Sequence, residues 1–314
     1  MSIVNSVVRP TNGNLNDMKD RIIYALGYFD GVHLGHQALL SACREIAREN
    51  RCQSGAVTFL GHPQQLLTGE SPKLINTPED RRALLLQQVD TVLELPFDQK
   101  LMDTTWEQFL DQLVEKQNGA GFVCGSDFRF GQKGMGTAVL LQQYCQDRKL
   151  PCRIVPQQTI DGIRISSTHI RALLEQGNIP EAERFLGHPH ILSGTVVAGK
   201  QLGRTIGVPT ANVDYPDFLV QLPYGVYACR VTAEGKAYRS VTNVGIRPTV
   251  NGQGVNAENW LQEFSGDLYG KTVQIAFCRF LRPEQKFSQL SDLKEQIEKD
   301  KKSLHELCIP AENS

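Results

Sequence analysis

The chain lacks any apolar run near the ~20 residues that a membrane helix needs. It has almost no charge imbalance. Its 33 Lys and Arg stand against 34 Asp and Glu, a formal net charge of −1. That excludes the basic footprint by which nucleic acid or an anionic membrane surface is held. Its cysteines are scattered and none is spaced as CxxC; the shortest gaps run from Cys43 to Cys52 and from Cys145 to Cys152. Neither a zinc site nor a disulfide framework fits those gaps, so most are expected to be small core residues in a reducing compartment. The first dozen residues, MSIVNSVVRPTN, lack the apolar centre of a signal peptide. No GxxxxGK[ST] loop occurs, which excludes a P-loop as the phosphate cradle. Low-complexity tracts and internal repeats are also missing. Together these absences predict a cytoplasmic protein with no membrane or nucleic-acid partner.

The most informative segment present is Gly27 to His36, GYFDGVHLGH. A strand-like run, 22–26, leads into it. A helix-like run, 37–49, leads out, with apolar residues at 39, 40, 43, 46 and 47 on one helical face. His33 and His36 therefore stand three apart at the mouth of a helix. Gly31 and Gly35 let backbone approach a ligand closely. A helix N-terminus adds unpaired N–H groups and partial positive charge, which suits a polyphosphate. Histidines at this spacing also suit ordinary half-buried positions or metal ligation. The preceding strand, both glycines and the helix start favour phosphate.

With 314 residues the chain is long enough for two cores. Its first half alternates strand signals (22–28, 55–60, 91–95, 121–125, 152–155) with helix signals (78–88, 106–117, 137–148). That pattern predicts a parallel sheet covered on both faces, with ligands beyond the carboxyl ends of its strands. Short helices at 167–175 and 180–186 follow, the second with Pro in its first turn and Gly just past its end. After Ile191 the texture changes to strand upon strand (191–198, 224–233, 237–246, 272–281), which predicts a small β-barrel. A last helix, 288–308, carries Leu290, Leu293, Ile297, Leu304 and Leu307 on one face to pack against it. The change of texture puts the domain boundary between about 184 and 191, giving domains 1–187 and 188–314.

Three further strings carry chemistry. ISSTHIR, at 165–171, offers Ser166 and Ser167 as helix caps and Arg171 one turn in, a guanidinium suited to bidentate phosphate contact. VCGSDFRFG, at 123–131, reads as a strand, a tight turn and an aromatic pair beside Asp127. The glycines of the next stretch, Gly131 to Gly136, fall as GxxGxG and not as the dinucleotide order. In GRTIGVPTAN, 203–212, Gly203 and Gly207 suit a backbone phosphate cradle. Thr210 and Asn212 supply hard oxygens that suit Mg²⁺. A simple turn between strands reads the same way.

These strings carry a family resemblance. GYFDGVHLGH resembles the HxGH nucleotidyltransferase signature in the longer form of bacterial FAD synthetases, and ISSTHIR resembles that fold's second signature. VCGSDFRFG is similar to the segment that lines their flavin site. GRTIGVPTAN resembles the GxPTAN signature of riboflavin kinases, and NVGIRPT at 243–249 is again similar. From about residue 20 to 304 the chain resembles the bacterial bifunctional riboflavin kinase and FMN adenylyltransferase family.

The resemblance implies an α/β fold: an N-terminal nucleotidyltransferase domain, Rossmann-like with a parallel sheet, then a small β-barrel kinase domain with a terminal helix. It implies riboflavin, FMN and ATP as substrates and Mg²⁺ as cofactor. ATP and phosphate contacts would come from Gly27, Phe29, His33, His36, Ser166, Ser167 and Arg171 in the first domain, and from Gly203, Gly207 and Thr210 in the second. Asp127 would contact flavin, and Thr210 and Asn212 the metal. His36 and Arg171 would serve adenylyl transfer. Glu258, in NAENWLQEFSGDLYGK, takes the place of the general base for the flavin hydroxyl. The chain departs from the family at Gly134, Thr137, Trp260 and Gln262-Glu263. Activity in one domain only, or a flavin- or nucleotide-sensing protein without catalysis, are the alternative readings. Oligomeric state has no signal in the sequence.

Overall fold

The computed structural model describes residues 20–61, 72–198, 209–249, 252–285, 287 and 289–307. Its contacts divide the chain into two units. One comprises residues up to Pro72 together with Arg81–Ile165; the other comprises Lys73–Asp80 with Ser166 onward.

The first unit holds a five-stranded parallel sheet. Strands β1 (Ile22–Leu26), β2 (Gln53–Leu60), β3 (Thr91–Pro96), β4 (Gly119–Gly125) and β7 (Cys152–Val155) lie in the order β3-β2-β1-β4-β7. The order reverses between β1 and β4, so the loop leaving β1 sits at a switch point. Helix α1 (Leu34–Glu49) follows that loop. It begins three residues earlier than its apolar spacing indicates, because His33 caps it. The helices α2 (Pro78–Leu86), α3 (Gln99–Asp103), α4 (Trp106–Lys116) and α5 (Ala138–Asp147) complete the alternation. The last four of the five β1 residues are buried, and so are six of the seven in β4, as expected for strands covered on both faces. Phe122, Leu110, Leu141 and Cys145 lie in the core between sheet and helices.

Elements too short for a periodicity signal were not anticipated. These are the hairpins β5 (Arg129–Phe130) with β6 (Gly136–Thr137), and β8 (Thr159–Ile160) with β9 (Ile163–Arg164). The five-residue α3 is another.

The second unit contains α6 (Ser167–Glu175), α7 (Ile179–Leu186) and a closed antiparallel barrel. The barrel order is β10 (His190–Val197), β11 (Ala211–Tyr215), β14 (Gly252–Leu261), β13 (Lys236–Thr249), β12 (Gly225–Ala233) and β15 (Thr272–Pro283). Closure removes the edges that would otherwise recruit other chains. The stretch 73–80 also belongs here. Leu74 donates its amide to the Phe218 carbonyl and accepts from Val220, and Asp80 accepts from the Ser193 amide at 2.9 Å.

The terminal helix α8 (Leu290–Leu307) packs on the barrel through Leu304, which is fully buried against Ala228 and beside Trp260, Val241, Cys278 and Leu281. The side chains of Leu290, Leu293 and Leu307 lie outside the described residues. A polar contact joins this apolar one. Asp300, 5% exposed, takes a fork of hydrogen bonds from Arg282 Nε and Nη2, the shortest 2.7 Å, and a further one from Gln296. Bidentate geometry makes this the strong kind of ion pair.

His190 opens β10 and is 1% exposed, stacked on Phe277, with neither ring nitrogen hydrogen-bonded. Burial, with His188 nearby, pushes its pKa down to about 3. Above the unfolded value near 6.5 the ring is neutral in both states and folding carries no penalty. As pH falls towards 3 only the unfolded chain takes the proton, so stability is lost at about 1.4 kcal/mol per unit for this one group. His190→Leu is expected to flatten the acid limb of barrel stability between pH 6.5 and 5, read by denaturant melts. An unchanged slope would show that His190 is not the group responsible.

Candidate active sites

The first site is built on the loop after β1. The Gly27 amide still bonds to the Val57 carbonyl at 3.2 Å, and the chain then leaves the sheet. Phe29 at φ 59 and Val32 at φ 39 occupy the left-handed region, strained for side-chain-bearing residues. Surrounding contacts hold them there. The Tyr28 carbonyl accepts from Thr58 Oγ1 at 2.8 Å and from Arg81 Nη1 at 3.4 Å; Val32 donates to the Phe29 carbonyl, and Gln37 Nε2 donates to the Val32 carbonyl. Phe29 is fully buried, its ring 5.2 Å from His36 and so close to Gly27 that a Cβ there would lie 3.0 Å from it. Phe29 therefore builds the loop from inside, and any ligand contact it makes is through its backbone.

The two histidines come together. Their rings stack at 3.6 Å, 10° from parallel. A Cβ on Gly35 would sit 3.2 Å from the His33 ring. His33 caps α1: its Nδ1 accepts from the His36 amide at 3.2 Å. An accepting Nδ1 leaves the ring proton on Nε2, the tautomer that donates to an anionic oxygen. His36 Nδ1 is buried with no partner. Burial, then His33, then Arg81 hold the His36 pKa well below its usual value. The imidazole is thus neutral near pH 7.

Arg81 is the residue that sequence reasoning missed. It is 2% exposed, and its Nη2 donates to the Phe59 carbonyl at 2.7 Å while its guanidinium lies 4.8 Å from the Tyr28 ring centre. It sits inside a helical stretch with no motif around it, so no signal was available. It ties the end of β2 to the loop that carries the histidines.

Ser166, not Ser167, is the N-cap of α6, accepting from the His169 amide at 3.3 Å. Arg171 Nη2 reaches Thr168 Oγ1 at 3.5 Å. These residues belong to the second unit and the histidines to the first. Asp127 pairs with Arg164, both half exposed, beside the stacked rings of Phe128 and Phe130. Two departures from the family pattern have local reasons. Thr137 caps α5, accepting from the Leu140 amide at 3.2 Å. Gly134 takes φ 64, which glycine adopts without strain.

The second site lies on β11 and β14. Asn212 and Glu258 are register partners on adjacent antiparallel strands, so their side chains emerge side by side on one face. Asn212 is buried; its Nδ2 donates to the Thr210 carbonyl at 3.5 Å, and its Oδ1 accepts from Asn256 Nδ2 at 3.0 Å. Thr210 and Trp260 line a cavity of about 440 Å³, together with Pro209, Leu261, Phe264 and Tyr269. The Trp260 indole lies 4.3 Å beneath Lys301 of α8, a cation–π contact. Gly203 and Gly207 lie outside the described residues. Among the described residues no three His, Cys, Asp or Glu side chains gather as a metal cage.

A doubly wound sheet with paired histidines at its switch point, joined to a closed barrel with an Asn-Glu pair, defines a two-domain nucleotide-dependent transferase. Residues 15–169 match the FAD synthetase family and residues 186–308 the riboflavin kinase family. The Bacillus subtilis bifunctional riboflavin kinase/FMN adenylyltransferase is 34% identical over 91% of this chain and 92% of its own. The Escherichia coli K12 enzyme of that description is 37% identical over 90% and 92%, and the Pseudomonas fluorescens enzyme 35% over 95% and 96%. A solved structure from Streptococcus pneumoniae, described as a macrolide-efflux protein, matches with TM-score 0.81 and 31% identity over 93% of this chain and 97% of that one. Among the described residues of the present chain no helix is long and apolar enough to cross a membrane. The chain belongs to the bifunctional riboflavin kinase and FMN adenylyltransferase family, ATP-using transferases, and it carries both of the family's domains.

Arg81→Met removes both donors that tie Tyr28 and Phe59. Hydrogen exchange at 28–36 is expected to speed up. The ATP KM for FMN adenylylation is expected to rise ~10-fold, the scale of a lost charge-assisted bond. Riboflavin phosphorylation should be unaltered. Unchanged exchange in the loop would show that the guanidinium is not its clamp.

Proposed function

We propose that the barrel domain transfers the γ-phosphoryl group of ATP to riboflavin, giving FMN and ADP. The sheet domain then transfers AMP from a second ATP to FMN, giving FAD and pyrophosphate. The observation that carries the first step is the pairing of Asn212 with Glu258 across β11 and β14. Glu258 takes the proton of the ribityl hydroxyl as that oxygen attacks the γ-phosphorus in line, and ADP leaves. A base in hydrogen-bond reach of the nucleophile is the one chemical group this step needs. Gly203, Gly207 and Thr210 would contact the phosphates.

Mg²⁺ fits this site by donor chemistry. Thr210 and Asn212 offer hard oxygens, and the ion is commonly held by few protein oxygens with phosphate and water completing its shell. When bound it would neutralise charge on the phosphates.

For adenylyl transfer the nucleophile is the FMN phosphate, already an anion, so no strong base is required. An FMN phosphate oxygen attacks the α-phosphorus of ATP, and the bond to the pyrophosphate oxygen breaks. His33 donates from Nε2. His36, neutral when unliganded, gains a reason to hold a proton beside the phosphates. Ser166, Ser167 and Arg171 would position ATP from the ISSTHIR segment, and Asp127 the flavin. The work is orientation and electrostatic stabilisation.

We place the functional division at 1–187 and 188–314, ISSTHIR going with the adenylyl half by signature although it shares a contact unit with the barrel. The free cysteines of the described residues suit a reducing compartment, and we place the enzyme in the cytoplasm.

Two substitutions should separate the activities, read by chromatography of flavins after incubation with ATP. His36→Ala is expected to lower FAD formation ~10²–10³-fold, the usual effect of losing one preorganised contact, while FMN formation stays near normal. Retained FAD formation would remove GYFDGVHLGH from the adenylyl site. Glu258→Gln keeps size and hydrogen bonding but not basicity. FMN formation should fall ~10²–10⁴-fold, with FAD formation from supplied FMN unaffected. A fully active Glu258→Gln enzyme would mean that another group takes the proton.

A further inference from the structure

We propose that Asn256 is the positioning residue of the kinase site, holding Asn212 and Glu258 in working orientation with a single amide; the assignment rests on the roles given to those two residues above. Asn256 lies two residues before Glu258 on β14, so both point to the same face of the strand. It is 3% exposed. Its Nδ2 donates to Asn212 Oδ1 at 3.0 Å and to Glu258 Oε1 at 3.4 Å. An amide nitrogen carries two protons, so one group serves both neighbours.

The consequence at Asn212 is directional. Its Nδ2 faces the Thr210 carbonyl and its Oδ1 faces Asn256. Flipping that amide would set NH₂ against NH₂ at one end and oxygen against oxygen at the other. The carbonyl oxygen is therefore held towards the Glu258 side, with a second lone pair to offer a hard cation. At Glu258 the bond engages one carboxylate oxygen and restrains rotation of the group. The other oxygen remains to receive the hydroxyl proton. A base held within a narrow range of orientations is what an in-line step rewards. A buried amide that merely satisfied its own hydrogen bonds would have no such effect on catalysis.

The test uses the full chain. Asn256→Leu keeps the shape of the side chain and removes both donors. Four quantities are measured: kcat for riboflavin phosphorylation, calorimetric affinity for Mg–ADP, riboflavin binding by quenching of Trp260 in a Trp106→Phe background, and FAD formation from FMN. The expected result is a ~10–100-fold lower kcat and a ~10-fold weaker Mg–ADP affinity, with riboflavin affinity and FAD formation unchanged. Combined with Glu258→Gln, the loss in kcat should be smaller than the product of the single losses, as for coupled neighbours. Asn256→Ser, with one proton to donate, should fall between the variant and the parent.

A kcat and Mg–ADP affinity within twofold of the parent for Asn256→Leu would overturn the proposal, as would losses that multiply independently with Glu258→Gln. Should Asn256→Leu fail to fold, seen as loss of the barrel's melting transition, Asn256→Ser decides: full activity overturns the two-donor role, and a partial loss in kcat with riboflavin affinity intact supports it. A parent chain that makes no FMN, or a fully active Glu258→Gln, defeats the kinase reading itself. An impaired Glu258→Gln beside an unimpaired Asn256→Leu defeats only the role of Asn256.

Discussion

The position of β1 between β2 and β4 is the constraint on which the first unit depends. Hydrogen-bonded on both edges and covered on both faces, the strand has no freedom of register. Its last residue therefore delivers the chain to one place, the point where strand order reverses. Every feature of the histidine loop follows from leaving that place abruptly. Two side-chain-bearing residues accept left-handed backbone, Phe29 folds back over Gly27, and Tyr28 gives its carbonyl to Thr58 and Arg81. Helix α1 then starts at once, with His33 as its cap. The result is two imidazoles face to face at a helix N-terminus.

In the second unit the corresponding constraint is antiparallel register within a closed barrel. Asn212 lies opposite Glu258 because β11 and β14 pair in one register and no other. A slip of one residue would turn every alternate side chain to the wrong face. Closure makes such a slip costly across all six strands. The same alternation sends Ala257 and Asn259 into the core while Asn256 and Glu258 share the other face, so a fully buried Thr242–Asn259 hydrogen bond can coexist one residue away from the Glu258 carboxylate. Trp260 continues that face and meets Lys301, linking the strand that carries Glu258 to the terminal helix.

Much of this was readable from residue order. Alternating strand and helix signals, then strands alone, announced the two architectures. The strings GYFDGVHLGH and ISSTHIR marked the starts of helices, since glycine and capping residues act locally. The apolar face of the last helix was also visible, through Leu304. Less legible were elements of two to five residues, too short to show a period: the hairpins β5–β6 and β8–β9 and helix α3. Two barrel strands were missed as well: β11, whose sequence ANVDY reads as the end of a turn motif, and the ten-residue β14.

Residue order by itself determined the chemistry available: two histidines three apart, an arginine in a capped helix, oxygen donors in a Thr-Ala-Asn turn and one glutamate beyond them. It also determined the family, because those strings are local and keep their spacing. Tertiary structure alone decided which distant residues serve them. Arg81 reaches the histidine loop only because its helix packs near the ends of β1 and β2. Asn256 meets Asn212 only because β14 pairs with β11. Asp300 is a ligand for Arg282 only once α8 lies on β15. Nothing in a single sequence records such meetings, since burial of a charge or an amide becomes tolerable only when a partner from elsewhere in the chain arrives to satisfy it.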